Sequence, residues 1–206
     1  MTTAKHSHPR FTELLDLFRA HPDWFALWSG TSFRFQTVDY PAPKDVLSGE
    51  GARRRGGRWN RPGISALYGS TTDTTALEEC KAHDRYYGVE TKSPRILVAI
   101  DIELTRMLDL TSPAARRALG VTLTELGAED WRKLQAAGKE SLTQVIGRAA
   151  AAAGGSGLIV RSAEVHLGIN VVVFPGVCSG DRLEIVEGDK LAQLAKRAKP
   201  TKRTKA

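Results

Sequence analysis

The chain has 206 residues, of which 41% are hydrophobic and 26% charged, a balance that fits one soluble globular domain and no collagen-like or low-complexity class. No run of about 18 apolar residues is present, which excludes a helical membrane span, and the opening MTTAKHSHPR lacks the apolar core of a secretory signal. The net charge of +7 is local: residues 190–206 hold seven Lys or Arg and no acid, so residues 1–189 are formally neutral and the basic balance describes a tail.

In chain order, RFTELLDLFRA at 10–20 places Phe11, Leu14, Leu15 and Phe18 on one helical face, and Pro22 ends that helix. SFRFQTV then alternates, with Phe33 and Phe35 on one side and Arg34 on the other, and predicts a strand at about 32–38. Residues 39–57, rich in Pro, Gly and Arg, read as a loop. ISALYGS at 64–70 predicts a second strand. A helix follows from about 71 to 87, for which Thr71, Thr72 or Asp73 can serve as cap.

RILVAIDI at 95–102 predicts a strand buried on both faces, and residues 103–153 read as helical. Within them, Ser112 before Pro113 marks a helix start, and Leu142, Val145, Ile146 and Ala149 share a face. Three short strands, GLIVRS, NVVVFP and RLEIVEG, come next. The order predicts an α+β fold, one domain with a mixed or antiparallel sheet. The boundaries are an N-terminal helical extension at 1–30, a core at 31–189 and a basic tail at 190–206, disordered beyond Pro200.

Little conventional catalytic machinery is visible. There is no phosphate-binding G-x-x-x-x-G-K, no G-x-G-x-x-G after a strand, and no metal-ligand spacing among the five histidines. His166 lies near Ser162 without an acid to complete a triad. The two cysteines, Cys80 and Cys178, read as buried thiols in a reducing, cytoplasmic setting. The unusual stretch is GGRWNRPGISALYGSTTDTTALEE at 56–79, where Tyr68 follows Arg58 by ten residues and Glu79 follows it by twenty-one.

Taken singly, these residues have ordinary readings: a turn arginine, a sheet tyrosine and a surface acid. Together they read differently. Gly56 and Gly57 let the backbone approach a ligand closely and aim Arg58. Arg34 supplies a second guanidinium, and guanidiniums bind phosphates through paired hydrogen bonds. Two arginines, an aromatic and one carboxylate suit a nucleotide carrying a pyrophosphate. One carboxylate also suffices when the leaving group is a cationic base such as nicotinamide, which departs neutral. Ordinary glycosidases need a second carboxyl group to protonate the leaving oxygen.

FRF at 33–35, GGRWN at 56–60, LYGS around Tyr68, ALEE ending at Glu79 and VRSAEVHLGINVVVFP at 160–175 resemble the RES domain, the toxin of RES–Xre toxin–antitoxin pairs. The resemblance implies a fold related to ADP-ribosyltransferases and consumption of NAD⁺ as substrate, with no prosthetic group or metal. It implies an Xre-like antitoxin as partner. It matches Arg58, Glu79 and Ser162 to the catalytic positions, and Arg34 and Tyr68 to positions near the cleft. On that reading Arg58 and Arg34 grip the phosphates, Tyr68 lines the nicotinamide side, Ser162 orients the ribose and Glu79 stabilises the developing cation. Water, phosphate or protein remain open as acceptors, the last making a protein ADP-ribosyltransferase. A reading of another class, nucleic-acid binding, would rest on the tail alone, because the body is neutral and its aromatics do not interleave with a basic stripe.

Overall fold

The computed structural model describes residues 8–40, 42–88, 94–178 and 180–198, with the side chains of 192, 194–196 and 198 left out. The amphipathic α1 (Phe11–Ala20) comes first, followed by a 3₁₀ turn at Pro22–Trp24. Leu14 and Phe18 of α1 are fully buried, and the helix packs on α8 (Leu142–Ala152). Burying each such side chain stabilises by about 1.5–3 kcal/mol. Residues 11–25, within the stretch 1–30 expected as an extension, thus supply part of the central core.

The first strand, β1 (Phe25–Thr37), begins well before the expected residue 32. Residues 25–31 show no alternation; they become strand because they pair with a long partner, β3 (Arg95–Asp109). That partner also continues past residue 102 into a stretch expected to be helical. Its side chains alternate: Val98, Ile100, Ile102 and Leu104 are buried, whereas Leu97 is 43% exposed. β3 is therefore covered on one face along this stretch, not on both. The intervening 39–57, expected as loop, holds the short helices α2 (Pro43–Leu47) and α3 (Glu50–Arg55).

β2 (Leu67–Ser70) and α4 (Asp73–Tyr87) follow, with Thr72 capping the helix through its side chain. After β3 come α5 (Pro113–Ala118), α6 (Leu123–Ala128), α7 (Trp131–Ala136) and α8, then β4 (Gly157–Arg161), β5 (Ile169–Val173), β6 (Arg182–Ile185) and α9 (Gly188–Ala198). Ser112 caps α5, as its position before Pro113 predicts. Residues 190–198 of the basic stretch belong to α9, whose Leu191 is buried against the sheet. The expected disorder beyond Pro200 lies outside the described residues.

The sheet order is β1-β2-β5-β4-β3-β6, and pairing of β1 with β3 closes five of the strands into a ring. All pairings are antiparallel except β3 with β4, so the fold is α+β with a mixed sheet. Val98, Ile100, Ile102, Ile159, Val171 and Val173 pack together on one face of this sheet. On the other face Leu158, Val160 and Val172 pack under α1 and α8. Ser70 pairs with Phe33 and with Asn170, which places these three side chains on the same side.

Candidate active site

The GGRWN segment is a fastened loop. Trp59 is anchored in the core, and Asn60 is fully buried. The Asn60 side-chain amide donates to the carbonyls of Ala52 (2.9 Å) and Ile64 (2.8 Å), and its Oδ1 accepts from the Tyr68 hydroxyl at 2.7 Å. That hydroxyl also accepts from the Trp59 backbone N–H at 3.0 Å. Gly57 is required here for a reason the sequence does not show: a Cβ would lie 2.5 Å from the Tyr68 hydroxyl oxygen. This close approach is to the protein's own tyrosine. Two glutamines hold the loop from outside: Gln144 Nε2 donates to the Gly57 carbonyl (3.0 Å), and Gln135 Nε2 donates to that of Arg55 (2.8 Å).

Arg58 is the one long polar side chain this loop displays between two buried residues, Gly57 and Trp59. Its Nη1 donates a long hydrogen bond, 3.4 Å, to the Leu126 carbonyl at the end of α6. Burial is the largest influence on its guanidinium and pulls it below the ordinary value; the nearby charge of Arg132 acts the same way, while Glu79, Glu164 and Tyr68 oppose both. Burial likewise pushes the Tyr68 hydroxyl above its ordinary range, so it stays a neutral donor.

Glu79 projects from the second turn of α4. Its Oε1 accepts from Ser162 Oγ and from Asn170 Nδ2, each at 2.6 Å. Asn170 is itself fixed, because its Oδ1 accepts from the buried Ser70 hydroxyl at 2.7 Å. Ser162 is fixed by the backbone: its Oγ accepts from the N–H groups of Glu164 (3.1 Å) and Val165 (3.0 Å). The 162–168 loop sits directly on the start of α4, where a Cβ at Gly168 would meet Ser162 at 3.0 Å and Thr75 at 3.1 Å. Both donors converge on one carboxylate oxygen, and among the described residues Oε2 has no hydrogen-bond partner. The preceding acid is different: Glu78 pairs with Lys81 at 2.7 Å on the helix surface.

The structure thus brings Glu79 and Ser162 into contact and sets Arg58 within electrostatic reach of Glu79. Tyr68 stands beneath the Arg58 loop. Arg34 goes elsewhere. It is paired with Val98 and leaves β1 on the face opposite Phe33, Ser70 and Asn170. Its Nε is buried without a hydrogen-bond partner among the described residues, and burial lowers the guanidinium to about 10, still charged at neutral pH. Asn170 and Ser70 were invisible to spacing; the only sequence cue was the NVVVF strand that carries Asn170. Among the described residues, no group of three or more His, Cys, Asp or Glu could hold a metal ion, and no helix is long and apolar enough to cross a membrane.

Comparison with known proteins gives a consistent picture. The RES domain family model matches residues 31–192. The NAD(+) phosphorylase MbcT of Mycobacterium tuberculosis is 35% identical over 145 residues, which is 66% of this chain and 75% of that protein; MbcT of Mycobacterium bovis matches equally. The crystal structure of the M. tuberculosis MbcT–MbcA toxin–antitoxin complex superposes with a TM-score of 0.62 at 25% identity, covering 87% of this chain and 97% of that one.

Proposed function

Because the chain belongs to the RES domain family, we propose that it is an NAD⁺-consuming toxin that cleaves the nicotinamide–ribose bond, with phosphate as acceptor. The observation that carries this reading is the Glu79 carboxylate, held through one oxygen by two neutral donors. Neutral donors orient the anion without cancelling its charge, and the other oxygen is left to face a substrate. The C–N bond of NAD⁺ breaks with its electron pair leaving on nicotinamide, which needs no proton. The ribose carbon becomes oxocarbenium-like, and Glu79 stabilises that charge. A phosphate oxygen then bonds to the same carbon.

In this reading the family likeness extends to the ADP-ribosyltransferase fold. Arg58 binds the phosphate end of the substrate. Tyr68 acts mainly through the loop it fastens, with its ring toward the nicotinamide side. Ser162 acts chiefly by holding Glu79, its hydroxyl reaching the ribose only on exchange of that hydrogen bond. Arg34, on the opposite face, suits a phosphate far from the reacting ribose better than one beside it. An Xre-like antitoxin would neutralise the enzyme in the cytoplasm by covering Glu79 and the residues around it. The test is product analysis of NAD⁺ incubated with the protein: ADP-ribose 1″-phosphate with phosphate present, and little turnover without it. Equal turnover to free ADP-ribose in both conditions would make it a hydrolase, and label left on protein would make it a protein ADP-ribosyltransferase.

A further inference from the structure

Arg132, at the start of α7, belongs to none of the sequence motifs, and after burial its charge is the second influence that lowers the Arg58 guanidinium. The two are brought together by architecture. Arg58 touches the end of α6 at Leu126, and Gln135 of α7 donates to the Arg55 carbonyl, so the α6–α7 segment is fastened to the GGRWN loop from both sides. The Arg132 guanidinium lies over the rings of Tyr86 (4.0 Å) and Trp131 (4.5 Å), with Tyr87 at 5.9 Å. These rings fix its plane. They supply only weak cation–π attraction, about 0.5–2 kcal/mol, and leave its N–H groups unused. Its Nε is fully buried, with no hydrogen-bond partner among the described residues.

Neither arginine has an acid within ion-pair distance among the described residues. Asp130, next to Arg132, instead approaches Lys133 at 3.9 Å. Two guanidiniums on segments fastened to each other, neither with an acid partner and one stacked on aromatic rings with a buried donor that has no partner among the described residues, form an arrangement that an anion completes. We propose that Arg132 and Arg58 together bind a phosphate group at the edge of the Glu79 site. This deepens the proposed function and rests on it for what the phosphate is: the acceptor phosphate, or a phosphate of the dinucleotide. A dianion between two arginines takes charge-assisted bonds from both, and the aromatic stack spares it the cost of ordering Arg132.

The test uses equilibrium dialysis of the full chain with labelled inorganic phosphate and, separately, with ADP-ribose, comparing the parent with Arg132→Gln and Arg132→Lys. Thermal melting checks that each variant is folded, and Arg132→Lys keeps the charge should Arg132→Gln fold poorly. Loss of one charge-assisted contact is expected to weaken binding about tenfold or more in Arg132→Gln, with a smaller loss in Arg132→Lys. A loss confined to inorganic phosphate identifies the acceptor site, and a loss with ADP-ribose identifies a phosphate of the dinucleotide. Unchanged binding of both probes in folded variants overturns the proposal, as does a parent that binds neither. Nicotinamide release is measured in parallel: a parent that binds phosphate through Arg132 but leaves NAD⁺ intact would refute the NAD⁺ reading and leave this site standing.

Discussion

Removing the two groups that hold Glu79 has a calculable consequence. Ser162 and Asn170 each donate at 2.6 Å to the same carboxylate oxygen. Hydrogen bonds to a charged group contribute about 1.5–3 kcal/mol, so losing the positioning from either should slow turnover roughly 10- to 100-fold. This exceeds the milder loss of about 0.5–1.5 kcal/mol for one neutral hydrogen bond, the sequence-based expectation for Ser162 acting on a ribose hydroxyl. The effect should fall on kcat more than on KM, because the carboxylate is needed most in the transition state. Ser162→Ala and Asn170→Ala should also be less than multiplicative when combined, since both act through one oxygen. The assay is initial-rate nicotinamide release by the parent, both single variants and the double variant, with circular dichroism melts to exclude unfolding. Single variants within about twofold of the parent, or a double variant that is fully multiplicative, would refute the claim that these donors act through Glu79.

Three further outcomes are expected. Tyr68→Phe strips Asn60 Oδ1 and the Trp59 N–H of their partner; at about 1–3 kcal/mol for each of the two buried groups and about 2–4 °C per kcal/mol, Tm should fall by roughly 4–24 °C in a thermal melt, and an unchanged Tm would show that the hydroxyl fastens nothing. Arg58→Lys keeps charge but not the fork, and should raise KM for NAD⁺ roughly tenfold with little change in Tm, as read by steady-state kinetics. Burial pushes the Cys178 thiol up to about 11, so the folded protein disfavours its thiolate. Alkylation followed by mass spectrometry at pH 8 should find this residue slow to react, and its contribution to stability should be lost as pH rises from the ordinary thiol range toward 11, because the unfolded chain loses its proton first.

What the sequence made legible was mostly local. Arg58, Tyr68 and Glu79 lie within one 24-residue segment, 56–79, and stand out there as candidates because a glycine-flanked arginine, an aromatic and an acid fall at recognisable positions. The preference for Glu79 over Glu78 is supported by where the two side chains go: one to Ser162 and Asn170, the other to Lys81 on the surface. Asn170 was missed because it stands 91 residues from Glu79 and reaches it only through the β2–β5 register. Arg132 was missed for a related reason, as its neighbours Tyr86 and Arg58 come from other parts of the chain. Residues 103–109 were read as helical with the stretch that follows them, and pairing with residues 25–29 makes them strand instead. Arg34 was legible as a charged residue among aromatics, but alternation alone could not say which face of a closed sheet it would enter.

Whether Glu79 is the group that drives cleavage of NAD⁺ is decided by a paired comparison of Glu79→Gln with Glu78→Gln. Both substitutions preserve size and remove one negative charge from α4. The measurement is nicotinamide release from NAD⁺ in phosphate buffer by the folded, purified proteins. Loss of the charge facing the oxocarbenium-like carbon should cost on the order of 10²–10³ in rate for Glu79→Gln, while Glu78→Gln, which breaks only a surface pair with Lys81, should match the parent within about twofold. A Glu79→Gln protein that releases nicotinamide as fast as the parent, or a Glu78→Gln protein that is the inactive one, would contradict the account.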